Sequence, residues 1–193
     1  MIRFHETSLP GVVVVEPEPI TDQRGFFVRV LSAELFREAG LDHASFVQEN
    51  HSRSRLRTIR GLHLRAPDGE TKIVRCSSGE IFDVVVDVRP SSPTFGRWER
   101  FMLDDRRHLQ VVIPPGYAHG FQALSEPADV QYRHDRFYAP AFDVAVAWND
   151  PDLAIDWPLP EPILSERDRS APSLRDLRPR LEGWFGADGG AGA

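Results

Sequence analysis

An all-β sandwich or barrel with a few short peripheral helices is the fold class this sequence predicts. Short runs rich in β-branched and aromatic residues recur about every ten residues along most of the chain. Clusters of Gly, Pro and Ser separate them, as turns require. Apolar residues at helical spacing are confined to short stretches.

The elements follow in order. Residues 12–15 are four valines that run into Glu16-Pro17. Residues 25–31 are apolar with strong strand formers. Ser32 then offers an N-cap for a short helix that Gly40 stops. Strands over 72–76 and 81–88 flank Ser77-Ser-Gly-Glu80, a hairpin-like turn. Further strands are expected over 97–103, 109–113, 119–124, 129–134 and 143–148. Ser173 caps a closing helix whose Leu174, Leu177 and Leu181 share one face. Residues 1–185 read as one domain, and the small residues of 186–193 as a flexible tail.

Composition narrows the function. The 193 residues are 41% hydrophobic and 27% charged, ordinary for a soluble globular chain. A net charge of −6 argues against general binding to nucleic acid or to a membrane surface. Any anion site must then be a local cluster of cations. No apolar run reaches membrane-span length, and no apolar segment follows Met1-Ile-Arg-Phe-His5 to make a signal peptide. Cys76 is the sole cysteine, so no intramolecular disulfide forms. A cytoplasmic protein is expected. Dinucleotide, P-loop and Gly-x-Ser-x-Gly motifs are missing.

Two short segments carry the chemistry. Residues 114–119, Pro-Pro-Gly-Tyr-Ala-His, have the Pro-x-Gly-x-x-His spacing with which cupin barrels present a metal-binding histidine. Arg60-Gly-Leu-His63 supplies one histidine, but Arg65 stands where His-x-His would place a second ligand. A cation there repels a metal, so no metal and no cofactor is expected, and acid–base work on an anion is. If residues 60–65 form a strand, His63 and Arg65 share one face and Leu62 and Leu64 the other. His63 is then either a satisfied core histidine or a general base. Asp168 sits in a charge run, Ser165-Glu-Arg-Asp-Arg. It is a solvated residue or the carboxylate that fixes the tautomer of His63. Lys72 is a solvated strand start or a cation for a developing enolate oxygen. Tyr132 is core filling or a second acid. Arg24, Arg60 and His119 together suit a diphosphate. Gln48 and Asn50 are turn residues or ligand contacts.

Taken in series, Asp22-Gln-Arg-Gly-Phe-Phe27, Gln48-Glu-Asn-His-Ser52, Arg60-Gly-Leu-His63, Gly79-Glu-Ile-Phe-Asp-Val-Val-Val-Asp87, Ser91-Ser-Pro-Thr-Phe-Gly96, Pro115-Gly-Tyr-Ala-His-Gly-Phe121, Asn149-Asp-Pro-Asp-Leu-Ala-Ile-Asp-Trp157 and Ser165-Glu-Arg-Asp168 resemble the dTDP-4-dehydrorhamnose 3,5-epimerase family. The resemblance covers roughly residues 10–175. It implies a metal-free cupin jelly roll acting as a homodimer on a nucleotide-diphospho-4-keto-6-deoxy sugar. It implies His63 as base, Asp168 as its orienting partner, Tyr132 as acid and Lys72 beside the C4 oxygen. It also implies Arg60 and His119 near the diphosphate and sugar, Arg24 reaching in from the partner subunit, Phe27 and Gln48 at the nucleotide end, and Asn50 in the site.

The chain departs from the family pattern at three places. Arg29 stands for a usual glutamate at the nucleotide end, and Arg65 for a usual glutamine, which adds a cation to the sugar pocket. Asp143 is a shorter substitute for the glutamate after Tyr-x-Pro. These changes leave His63, Asp168, Lys72 and Tyr132 intact and suit a variant nucleotide sugar. The reading is therefore an epimerase acting at C3, C5 or both. A C3-only epimerase, a ketoisomerase and a sugar-nucleotide-binding cupin without activity are the alternatives.

Overall fold

The computed structural model describes residues 1–185, so the expected tail at 186–193 lies outside the described residues. Thirteen strands occur among the described residues. They are β1 (Ile2–Glu6), β2 (Val13–Pro17), β3 (Ile20–Asp22), β4 (Gly25–Phe27), β5 (Gln48–Ser54), β6 (Ile59–Arg65) and β7 (Lys72–Ser78). Then come β8 (Glu80–Asp87), β9 (Trp98–Asp104), β10 (Gln110–Ile113), β11 (Tyr117–Ala123), β12 (Ala128–His134) and β13 (Asp143–Ala145). The helices are α1 (Ala33–Glu38), α2 (Glu166–Arg169) and α3 (Leu174–Phe185).

Two antiparallel sheets face each other. One has the order β1-β2-β10-β7-β12-β5, the other β13-β6-β11-β8-β9. β3 and β4 form a separate exposed hairpin. This is the all-β sandwich that the strand spacing predicts.

Period-two alternation explains how both sheets bury two faces. On β8, Ile81 and Val85 point between the sheets, while Phe82, Val84 and Val86 point outward. On β7, Val74 and Cys76 point inward and Ile73 outward. The inter-sheet core is completed by residues such as Val111, Ile113, Phe121 and Val130. Phe36 of α1 covers the outer face of the first sheet over Val15, Ile73 and Val112. Leu174, Leu177 and Leu181 of α3 cover the second sheet's outer face over Leu62, Leu64 and Val84. Burying one such leucine is worth about 1.5–3 kcal/mol. The Ser173 hydroxyl accepts from the Asp176 N–H at 3.1 Å, so the expected cap of α3 is present.

Several local expectations change. Ser32 occupies the N-cap position of α1 with extended backbone, but its side chain makes no capping bond. The strand expected over 25–31 stops at Phe27, and that over 143–148 stops at Ala145. The turn at 77–80 does not close a hairpin, because β7 pairs with β10 and β12 while β8 pairs with β9 and β11. It carries the chain from one sheet to the other, with Gly79 at φ +80° making the sharp reversal. β5, Gln-Glu-Asn-His-Ser-Arg-Ser, has no apolar alternation and is an edge strand, which hid it from a hydrophobicity pattern.

Gly61 fixes the approach of β6 to β11. It has φ +121°, and a Cβ there would sit 2.6 Å from Gly120 Cα and 2.7 Å from the His119 carbonyl oxygen. Both obstacles are backbone, so they cannot swing away. Gly61→Ala is expected to destabilise the protein by about 3 kcal/mol or more, from backbone strain plus overpacking. Gly96→Ala, at φ +75° with open space around it, should cost only about 1–2 kcal/mol. Urea denaturation of both variants checks the difference; equal losses would refute the close-packing argument.

Candidate active site

The inward face that is apolar at one end of the sandwich is polar at the other. Lys72 precedes Val74 on one face of β7, and Tyr132 and His134 follow Val130 on β12. His119 precedes Phe121 on β11, and its Cα partner across the ladder is His63 of β6. These five side chains line one cavity of about 640 Å³.

β6 is a strand, and it alternates as expected. His63 and Arg65 line the cavity, while Leu62 and Leu64 join the outer core. Asp168 lies on α2, where the Ser165 hydroxyl accepts its backbone N–H at 3.1 Å. This short capped helix turns what reads as a surface charge run into a buried carboxylate, 3% exposed. Asp168 Oδ1 meets His63 Nε2 at 2.6 Å. Burial pushes the carboxyl upward, but the hydrogen bond and charge of His63, with help from Ser165 and the Gly61 N–H, outweigh it and hold Asp168 below the usual range. An ionised carboxylate only accepts, so Nε2 carries the hydrogen, and in the neutral imidazole it is Nδ1 that holds the lone pair. That is the arrangement of an oriented base.

Tyr132 lies across the cavity, on the opposite sheet. Its hydroxyl is 3.3 Å from Ser52 Oγ, and its ring meets those of His119 and Phe121 at centroid distances of 6.2 and 6.4 Å. Burial raises the phenol well above its ordinary value, so it stays protonated at neutral pH, as an acid must. His119 Nε2 bonds Asp83 Oδ2 at 2.6 Å. Asp83 Oδ1 is buried with no hydrogen-bond partner among the described residues.

Lys72 is a strand start as expected, but it is buried rather than solvated, 7% exposed. Its Nζ lies 2.9 Å from Glu70 Oε1. Glu70 Oε2 lies 3.1 Å from His134 Nδ1. Neither Glu70 nor His134 was picked out by sequence reasoning. The available signal was spacing: each lies two residues from a chosen one, on the same strand face or approach to it.

The remaining candidates divide. Arg60 lines the cavity and donates to Ser54 Oγ and the Arg53 carbonyl. Gln48 and Asn50 line it from β5, a strand where a turn was the alternative. Arg65 lines it too, but its fork closes on Asp68 at 2.9 Å twice, and its guanidinium lies over the Phe142 ring. The cation expected to be added to the sugar pocket is therefore already paired. Asp143 takes a two-pronged contact from Arg167, at 2.5 and 2.7 Å. Arg24, Phe27 and Arg29 are exposed and do not line this cavity within one chain. Arg24 and Phe27 sit on the β3–β4 hairpin, where Arg24 pairs with Asp22.

A sequence profile of the dTDP-4-dehydrorhamnose 3,5-epimerase family matches residues 6–176. The chain belongs to this family. It is 45% identical over 172 residues to the dTDP-4-dehydrorhamnose 3,5-epimerase of Pseudomonas aeruginosa, covering 88% of this chain and 94% of the relative. Among solved structures it resembles NovW, a 4-keto-6-deoxy sugar epimerase from the novobiocin cluster of Streptomyces spheroides. There the TM-score is 0.91 at 38% identity, over 96% of this chain and 92% of that one. It also resembles ChmJ, a 3'-monoepimerase from Streptomyces bikiniensis in complex with dTDP-quinovose. That match has TM-score 0.87 at 39% identity, over 94% and 91%. Like its family, the chain is an isomerase with a cupin-like fold.

The buried acid Glu70 has a measurable consequence. Burial raises its carboxyl, but the hydrogen bond from His134 and the charge of Lys72 more than offset this and hold it at about 2, against an ordinary 4.5. Its folded value is depressed, so its stabilisation is full above pH 4.5 and fades as the pH falls towards 2. Glu70→Gln should flatten the fall in unfolding free energy across that window, read from denaturant titrations at stepped pH. An unchanged slope would refute the assignment.

Proposed function

We propose that this enzyme inverts C3, C5 or both in a nucleotide-diphospho-4-keto-6-deoxy sugar, of the dTDP-4-dehydro-6-deoxyglucose kind, through an enolate. The observation that carries this reading is the His63–Asp168 pair opening onto the same cavity as Tyr132 and Lys72. The names of the relatives support the substrate class.

A ketone at C4 acidifies the hydrogens on C3 and C5. His63 Nδ1 takes one of them, and the electron pair moves onto the C4 oxygen. The Lys72 ammonium stabilises that charge more as it develops than before, which lowers the barrier. Asp168 stabilises the imidazolium and holds its plane. The Tyr132 phenol returns a proton to the other face of the ring, the ketone re-forms and the centre is inverted. Arg60 and His119 bind near the diphosphate and sugar, Asn50 lines the site, and Arg65 and Asp143 flank it in their ion pairs. Gln48 contacts the nucleotide end.

The same proposal includes a homodimer in which the β3–β4 hairpin crosses to the partner. Its support is the exposed apolar surface of Ile20, Phe26 and Phe27, unusual for a hairpin left in water. Arg24, Phe27 and Arg29 then complete the nucleotide end of the partner's cavity. A cytoplasmic location, expected from composition, belongs to the proposal as well. Inversion at C3 alone is the second reading, favoured by the likeness to ChmJ.

Proton NMR in deuterium oxide with dTDP-4-keto-6-deoxyglucose tests the reaction. Deuterium at C3 and C5 supports double inversion, and deuterium at C3 alone supports the second reading. His63→Ala should lower exchange about 100- to 10,000-fold. Tyr132→Phe should keep exchange, because His63 still removes the proton, while inverted product falls by a similar factor. Inverted product at the wild-type rate from Tyr132→Phe would refute the acid assignment. Subunit crossing has its own test. Arg24→Glu chains, weakened in binding, mixed with inactive His63→Ala chains should regain activity above the sum of the two, since one site per mixed dimer is intact. A simple sum would count against crossing.

A further inference from the structure

Four hydrogen bonds and an ion pair run in series from the cavity mouth to Lys72. The Tyr138 backbone N–H donates to Gln48 Oε1 at 2.9 Å. Gln48 Nε2 donates to Asn50 Oδ1 at 3.1 Å. Asn50 Nδ2 faces His134 Nε2 at 3.4 Å, the longest link. His134 Nδ1 faces Glu70 Oε2 at 3.1 Å, and Lys72 Nζ faces Glu70 Oε1 at 2.9 Å. All six residues line the cavity.

The direction of every link follows from its two ends. A backbone N–H only donates, so Gln48 must present its oxygen to Tyr138 and its NH2 to Asn50. Asn50 then presents its own NH2 to His134, whose Nε2 must accept. At the other end an ammonium only donates, and an ionised Glu70 only accepts. His134 must therefore donate from Nδ1. One neutral tautomer satisfies both neighbours, and no member can be turned over alone without setting two donors or two acceptors against each other.

We infer that this one-way chain aims the Lys72 ammonium, with Glu70 and His134 as positioning residues for the epimerisation. The inference rests on the proposed role of Lys72 beside the C4 oxygen. Two of the three ammonium hydrogens remain for the substrate once Glu70 has taken one. Burial increases inward, from the exposed Asn50 to Glu70 and Lys72, whose side chains are 12% and 8% exposed. The rigid end is thus the end that needs a fixed cation, and the wet end is the side of Gln48 and Tyr138, where a bound nucleotide sugar would exclude water. Tightening the chain on binding would couple recognition of the nucleotide end to placement of the charge at the reacting oxygen.

The chain's polarity supplies the test. Glu70→Gln can still accept from Lys72, but its NH2 then faces His134 and forces the other tautomer. His134 Nε2–H then opposes the Asn50 NH2. Adding Asn50→Asp removes that clash, because an aspartate accepts from both His134 and Gln48, and the charge of the cluster is restored. In the full-length enzyme, 15N NMR of His134 should find a pyrrole-type Nδ1 and a pyridine-type Nε2. Glu70→Gln should lose that pattern and lower kcat about 10- to 100-fold with KM changed little. Glu70→Gln/Asn50→Asp should show the reversed pattern. Hydrogen on Nε2 in the wild type, wild-type kcat in Glu70→Gln, or an unreversed pattern in the double variant would overturn the inference. A wild-type enzyme that exchanges neither C3 nor C5 hydrogen would instead sink the proposed reaction, and the His134 tautomer would then decide the chain by itself.

Discussion

Ionised groups held between two packed sheets must be met by partners that cannot leave, and the organisation of this cavity follows from that constraint. A buried charge without a partner costs several kcal/mol, so it neutralises or the fold yields. Of the four histidines that line the cavity, three hydrogen-bond a carboxylate through one ring nitrogen: His63 on Asp168, His119 on Asp83, and His134 on Glu70. Each pair fixes a ring plane and commits one nitrogen, so the other nitrogen has a defined direction. Positional order in the site is thus a by-product of satisfying charge.

The constraint also governs Arg65 and Asp143, two residues at which the resemblance leads one to expect others. The Arg65 substitution would set an unpaired cation in the cavity wall, and Asp68 takes its fork while Phe142 covers its face. Asp143 is short, and Arg167 reaches across to hold it. Arg167 precedes Asp168 on α2, so this ion pair ties the helix that carries Asp168 to β13, beside His63 on β6. The compensated pairs keep these charges from standing unpaired in the wall that His63 and Tyr132 share. Arg29 differs in kind: it is exposed and lies away from the cavity lining of its own chain, so its charge needs no partner in that wall.

Packing and chemistry are joined at the Gly61–Gly120 contact. The approach of β6 to β11 there has no room for a Cβ, and it sets His63 beside His119 in the ladder. The Gly61 N–H also helps hold the Asp168 carboxylate ionised. One glycine therefore serves strand spacing, histidine registry and the protonation state of the dyad.

Residue pattern alone determined the sheet-rich class, most of the strands, the amphipathic α3 and the alternation that sets His63 and Arg65 opposite Leu62 and Leu64. These depend on local periodicity, which is written in adjacent residues. The motif series determined the family and pointed to His63, Asp168, Lys72 and Tyr132. Tertiary structure decided what periodicity does not encode. It made the 77–80 turn a crossing between sheets, because pairing partners are chosen by distant strands. It made β5 a strand, because an edge facing a polar cavity needs no apolar alternation. It buried Asp168 by folding a charge run into a capped turn against β6, and it joined Glu70 and His134, 64 residues apart, into the chain that ends at Lys72. Side-chain pairing across a sheet depends on register, and register is a property of the assembled fold.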